Sequence, residues 1–402
     1  MNRKIEYVTN EIIGSVSISG SKSESNRLLI LQNIFPNIQL KNLSDSDDSK
    51  HLIKALNSKS KTIDIGHAGT AMRFLTAYFA VIEGREVILT GSNRMQNRPI
   101  KILVEALQSI GADVQYVDKV GFPPLLIKGK TLTNNKVKIN GNVSSQYISA
   151  LLLIACSLKN GLEIELVGKV TSVPYLKMTL ALLKDLDVET TWKDSLIKVK
   201  PKKQIGYKII AVESDWSSAS YFYSLVALSE NAEITLTSFK QDSLQGDRSL
   251  VEIYNHFGVK TEFGQDSIKL SKISKPNLNP LNIDLINSPD LAQTIAVTCF
   301  GLGITCNLKG LHTLKIKETD RLVALYNELT KLGAHVEVTD ESLHLAASKN
   351  IKRNVSIDTY HDHRMAMAFA PLAIKVPMTI NDSEVVTKSF TSFWSDFESV
   401  LK

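Results

Sequence analysis

Along this chain, cations stand where helices should begin. Lys22 and Arg27 follow Gly20-Ser21, and Arg73 closes the turn that runs from Gly66-His67 through Gly69. Arg98 precedes Pro99, and Arg364 follows Tyr360-His361-Asp362-His363. Lys317 and Arg321 bracket Glu318, and Lys388 lies between Thr387 and Ser389. A helix N-terminus has unpaired N–H groups and a partial positive charge, so a cation there is unfavourable until an anion neutralises it. Such a start can grip phosphate or carboxylate, or it can be a capped surface helix with solvated cations. Ser21 with Glu24 reads as a capping box, and Ser288-Pro289-Asp290 as N-cap, first-turn proline and acidic second residue. Asp290 alone could simply complement a helix dipole, and Glu318 with Arg321 at i,i+3 could be a solvated pair. Taken together, buried helices that begin with Lys or Arg call for a substrate with more than one anionic group. Ser144-Ser145-Gln146 adds two hydroxyls and an amide, and Gly66 and Gly69 let a ligand approach the backbone.

Several classes fall away. Ser21 separates Gly20 from Lys22, so the Gly-Lys-Ser order of a nucleotide P-loop is absent. His67, His361 and His363 lack the HExxH spacing, and no Cys or carboxylate set completes a metal site, so no metal is expected. A net charge of +6 over 402 residues, with lysines spread along the chain, suits an anionic small molecule rather than nucleic acid. The 3 cysteines, Cys156, Cys299 and Cys306, form no CxxC pair and no even framework, which fits a reducing cytoplasm. The first residues have no signal-peptide core, and the longest apolar run, 148–158, is too short to span a bilayer.

The elements that must hold these residues recur. Apolar helices are expected to begin near Ser21, Ala68, Ser144, Ser214, Ser288 and Tyr360, most of them about 70 residues apart. More amphipathic helices are expected near Asp45, Arg98, Tyr175, Gly246, Lys317 and Thr391. Four of these end alike. Gly111, Gly258 and Gly333 stand at a left-handed C-cap position, with Asp187 at the fourth. Helices apolar all round are buried, so each unit should lay one helix inside and its partner and strands outside. A boundary near 213 leaves three units on each side.

The same segments resemble the 5-enolpyruvylshikimate-3-phosphate synthase family in order and over essentially the whole chain. The likeness is carried by Gly20-Ser21-Lys22-Ser23 with Asn26-Arg27, Ala68-Gly69-Thr70-Ala71-Met72-Arg73, Arg98-Pro99 and Ser144-Ser145-Gln146. Lys317-Glu318-Thr319-Asp320-Arg321 and Asp362-His363-Arg364-Met365-Ala366-Met367 complete it. The resemblance implies a two-domain inside-out α/β barrel, each domain three βαβαββ units with buried helices. One domain would be discontinuous, 1–19 with 213–402, and the other, 20–212, inserted into it.

It also implies that phosphoenolpyruvate gives its enolpyruvyl group to the 5-hydroxyl of shikimate 3-phosphate, with phosphate released and no cofactor. Shikimate 3-phosphate would meet Lys22, Ser23, Arg27, Ser144, Ser145, Gln146, Ser172, Tyr175, Asp290, Thr313 and Lys317. Phosphoenolpyruvate would meet Lys22, Gly69, Arg98, Gln146, Arg321, Arg364 and Lys388. Asp290 would take the hydroxyl proton, Glu318 would serve C3, and Lys22 would be shared. A cytoplasmic monomer that binds neither membrane nor nucleic acid is expected. The chain departs from the family with His67, Thr313 and His361 where Asn is common, and Phe74 where Pro is frequent. These changes bear on the phosphate contact and on inhibitors that mimic phosphoenolpyruvate, such as glyphosate. Two other readings stay in view: the sister transferase acting on UDP-N-acetylglucosamine, which usually works with a loop cysteine, and a non-catalytic anion-binding protein. Substrate is expected to draw the two halves together, because the anion contacts fall in both.

Overall fold

The computed structural model describes residues 1–7 and 11–401, the side chain of Ile316 excepted. The chain divides into two compact units, Met1–Gly20 with Glu213–Lys402, and Ser21–Val212. Each has its own apolar core.

In the unit 21–212, strand Thr62–Asp64 runs parallel to Glu86–Thr90, and Leu125–Lys128 and Asp113–Tyr116 follow antiparallel. Lys136–Asn140 and Leu162–Val167 repeat that plan with Leu196–Val199 and Thr190–Lys193. Ile38–Lys41 pairs in parallel with Lys208–Ala211. Lys136–Asn140 shows why such segments form half-covered strands: its residues alternate exposed and buried along the whole length.

The other unit repeats the plan. Ile12–Val16 lies parallel to Ala232–Thr237, followed by Ser267–Lys272 and Val259–Gly264. Leu281–Asp284 lies parallel to Cys306–Lys309, followed by Leu343–Leu345 and Val336–Val338. Met378–Ile380 is flanked by Val355–Ile357 in parallel and Arg3–Ile5 antiparallel.

A helix follows the first strand of each parallel pair. Helices 69–80, 216–228 and 363–369 are buried at every residue. Their apolar side chains would each contribute about 1.5–3 kcal/mol on leaving water. No helix among the described residues is long and apolar enough to cross a membrane. Their partners are amphipathic. Helix 47–56 buries only Asp48, Ser49, Leu52 and Ala55. Three partner helices end at glycines with φ of 101°, 79° and 99°, at Gly111, Gly258 and Gly333. Asp187 holds the same place at 58°.

Some local expectations change. Ser21 is the N-cap of helix 22–34, but its side chain makes no capping bond, so its half of the expected capping box is not formed. The helix expected near Lys317 begins only at Arg321. Asp320 caps it, accepting from the N–H groups of Leu322 at 3.1 Å and Val323 at 3.2 Å. Lys317 and Arg321 therefore do not share a helix face. Asp362 likewise caps helix 363–369, which leaves Tyr360 and His361 in a turn. Pro289–Leu291 is a 3-10 turn ahead of helix 292–302.

Candidate active site

In the unit 1–20 with 213–402, four helix starts supply one ionic network. Asp290 Oδ1 accepts from Arg321 Nη1 at 2.9 Å and lies 3.6 Å from Lys317 Nζ. Its Oδ2 accepts from Arg364 Nη2 at 3.0 Å. Glu318 bridges Arg321 Nη2 at 2.8 Å and Lys388 Nζ at 3.0 Å. The pair Glu318 and Arg321 is thus shielded, not solvated. Asp362 takes Arg321 Nε at 2.7 Å and the backbone N–H of Arg364 at 2.9 Å. Arg364 also donates to Ser217 Oγ at 3.2 Å and Tyr221 OH at 3.4 Å.

Burial opposes the charge on both arginines, yet both are held above their ordinary range. For Arg321 the carboxylates of Asp362, Glu318 and Asp290 outweigh the burial. For Arg364, Asp290 leads the opposition, helped by Tyr221, Asp247 and Asp215. Asp247 is pushed up to about 7, first by burial and then by Asp290, with Arg364 acting the other way. Thr313 stays outside the network, its Oγ1 buried without a hydrogen-bond partner.

The unit 21–212 holds its guanidinium groups differently. Arg27, from the second turn of helix 22–34, donates to neutral oxygens: Thr179 Oγ1 at 2.7 Å, Ser149 Oγ at 3.0 Å and the carbonyls of Ser23 and Tyr175 at 2.7 and 3.4 Å. It lies against the rings of Phe74 and Tyr175, with centroids at 5.4 and 5.8 Å. Burial pushes it down to about 10, with Tyr175 and Glu24 acting the other way. Such a group, ionised at neutral pH and held by neutral oxygens, is suited to accept an anion. Phe74, on the helix that begins at Gly69, lies against Arg27.

Arg73 donates to the Gly69 carbonyl at 2.8 Å and faces the Tyr147 ring at 5.8 Å. Burial, then the nearby charge of Arg98, pushes it down to about 10. A methyl group at Gly69 would stand 2.5 Å from Arg98 Nη1 and 3.0 Å from Arg73 Nη1. Gln146 donates to Thr70 Oγ1 at 3.2 Å, and Tyr147 to the Pro99 carbonyl at 2.6 Å. The starts of helices 69–80 and 145–155 and the Arg98 turn therefore meet around Gly69.

The remaining residues named from the sequence sit at helix starts. Lys22 and Ser23 are half-buried at the first turn of helix 22–34, and Ser144 is an exposed N-cap ahead of buried Ser145. Ser172 caps helix 173–185 in the left-handed region with φ 54°, and Tyr175 lies in its first turn.

Sequence reasoning named neither Asp362 nor Arg73 as a site residue, although both stood in quoted motifs. An arginine inside the apolar run Ala71-Met72-Arg73-Phe74-Leu75 was the available signal. Asp247, Ser217 and Tyr221 gave none, because their relevance comes from long-range contact. Among the described residues no group of three His, Cys, Asp or Glu could hold a metal ion.

A sequence model of EPSP synthase (3-phosphoshikimate 1-carboxyvinyltransferase) matches residues 50–397. A 3-phosphoshikimate 1-carboxyvinyltransferase of Bacteroides fragilis is 45% identical over 392 residues, covering 96% of this chain and 95% of its own. One from Haemophilus influenzae is 36% identical over 428 residues, covering 96% of each. In fold, the chain is similar to EPSP synthase from Acinetobacter baumannii, with a TM-score of 0.81, 18% identity and coverage of 99% and 98%. It is also similar to the enolpyruvyl transferase NikO from Streptomyces tendae, with a TM-score of 0.72, 12% identity and coverage of 99% and 97%. With identity and coverage of that extent, the chain belongs to the EPSP synthase family of transferases.

Proposed function

We propose that this protein transfers the enolpyruvyl group of phosphoenolpyruvate to the 5-hydroxyl of shikimate 3-phosphate, releasing phosphate. The observation that carries the reading is Asp290, a carboxylate shared by Arg321, Arg364 and Lys317, beside Glu318 shared by Arg321 and Lys388. Both substrates are polyanions, so cations must screen their repulsion. Arginine suits planar carboxylate and phosphate in bidentate geometry.

Phosphoenolpyruvate is assigned to Lys22, Gly69, Arg98, Gln146, Arg321, Arg364 and Lys388. Shikimate 3-phosphate is assigned to Lys22, Ser23, Arg27, Ser144, Ser145, Gln146, Ser172, Tyr175, Asp290, Thr313 and Lys317. When an anionic substrate arrives, it competes with Asp290 and Glu318 for their cations. That competition frees carboxylate lone pairs for proton transfer at the moment the substrate is bound.

The 5-hydroxyl then attacks C2 as its proton passes to Asp290 and C3 receives a proton from the Glu318 side. The tetrahedral adduct expels phosphate, which takes up the proton held by Asp290, as C3 gives its proton back to Glu318. Lys22 stabilises the charge common to both substrates. All electrons stay within the substrates, and no redox partner enters.

Against the amino-sugar reading stand three buried cysteines, none of them on an exposed loop. We also assign the protein to the cytoplasm as a monomer, which sedimentation of the purified protein tests. The function is tested by phosphate release with each acceptor. Turnover with shikimate 3-phosphate is expected, and turnover only with UDP-N-acetylglucosamine overturns the reading.

A further inference from the structure

Glu328 lies at the far end of the helix that Arg321 begins, and its side chain is fully buried. A buried carboxylate is costly unless donors surround it. Tyr360 OH donates to its Oε1 at 2.5 Å, while Lys331 Nζ and the backbone N–H of Asp358 reach Oε2 at 2.8 and 3.1 Å. Two of the three donors thus come from the short segment 358–360. Asn327 adds a longer contact to the same Tyr360 hydroxyl, at 3.4 Å.

That segment is strained. Tyr360 and His361 both adopt left-handed backbone, with φ of 53° and 55°. Residues with a Cβ occupy this region only when their surroundings over-determine it. Directly after them comes Asp362, whose N–H closes the turn on the Thr359 carbonyl at 2.8 Å. The Asp362 carboxylate then returns to Arg321 at 2.7 Å. Arg321 and Glu328 are seven residues, or about two turns, apart on one helix face. One helix therefore carries both the cation to be aimed and the carboxylate that braces the aiming turn.

We propose that Glu328 is a positioning residue for phosphoenolpyruvate, bracing through Tyr360 the left-handed turn that sets Asp362 against Arg321. The inference rests on the assignment of Arg321 to that substrate.

The test uses the full chain with Glu328→Gln, Tyr360→Phe and the double variant, measuring steady-state kinetics for both substrates alongside thermal denaturation. Each single variant should raise KM for phosphoenolpyruvate about tenfold, leave KM for shikimate 3-phosphate within about twofold, and combine without further loss. His361→Gly relaxes the backbone beside the brace without touching Glu328. Added to Glu328→Gln, it should return KM toward the wild-type value, which a merely structural role for Glu328 does not explain. An unchanged KM for phosphoenolpyruvate in both single variants, additive losses in the double, or no rescue by His361→Gly overturns the proposal. Arg321→Lys separates the two levels. An unchanged KM there removes the substrate assignment, whereas a raised KM there with none in Glu328→Gln removes only the brace.

Discussion

Arg321 and Asp362 meet across 41 residues of sequence, Nε to Oδ2 at 2.7 Å, with side-chain exposures of 2% and 0%. Each is also the hinge of a local structure, Arg321 as the first residue of its helix and Asp362 as the cap of the next. Removing the Asp362 charge takes from the buried guanidinium the carboxylate that does most to hold it charged, and leaves it Asp290 and Glu318. Asp362→Asn should therefore cost about 3–5 kcal/mol of stability, read by urea unfolding. A loss under about 1 kcal/mol would show that Asp290 and Glu318 suffice to hold the guanidinium.

Glu318→Gln keeps the size of the side chain and removes its charge. Arg321 retains Asp290 and Asp362, so the fold should persist. Turnover should fall about 10²–10⁴-fold with smaller changes in KM, the size expected for a lost acid–base group. Equal kcat in the variant and the wild type would remove Glu318 from proton transfer.

Gly69→Ala would place its methyl 2.5 Å from Arg98 Nη1, the far end of a flexible side chain. The guanidinium moves and the backbone stays. KM for phosphoenolpyruvate should rise about tenfold, worth about 1.4 kcal/mol, with the melting temperature almost unchanged. A large drop in melting temperature with unaltered KM would mark the glycine as structural.

Asp247 makes stability depend on pH. Burial first and Asp290 second hold its carboxyl up to about 7. The unfolded chain titrates it near 3.9, so between about pH 4 and 7 the native state keeps a proton that the unfolded state has lost. Stability from this group is complete below about pH 4, falls as pH rises, and is gone above about 7. Asp247→Asn removes that loss. The variant should gain on the wild type across this window, by up to about 4 kcal/mol, in denaturation measured from pH 4 to 8. A flat difference would place the titration elsewhere.

The helix starts were legible because local chemistry writes them. Ser, Asp and Gly mark the caps, and all-round apolar runs mark the interior. Even Asp187, in a place where its three counterparts are glycine, takes the left-handed turn. Asp290, Glu318, Lys317, Arg321, Arg364 and Lys388 stood out by their place at helix starts and by the family resemblance, whereas Asp362 and Asp247 did not. The partnerships were not legible, since Arg364 finds Asp290 across 74 residues and Arg27 finds Thr179 across 152. No periodicity encodes such pairings. The helix start at Arg321 was misplaced for a local reason: Asp320 outcompeted Lys317 and Glu318 by offering its oxygen to two N–H groups.

The parallel pairing of Ile12–Val16 with Ala232–Thr237 has a consequence for the chain as it is made. Ile12–Val16 leaves the ribosome long before the strand that covers its edge. At about 5–20 residues per second, the wait is on the order of tens of seconds. Residues 21–212 are finished in that interval and can fold as a body, while Ile12 and Val16, both buried in the end, stay open to water. Until Ala232–Thr237 is made, the edge of this strand that it pairs with in the fold stays uncovered.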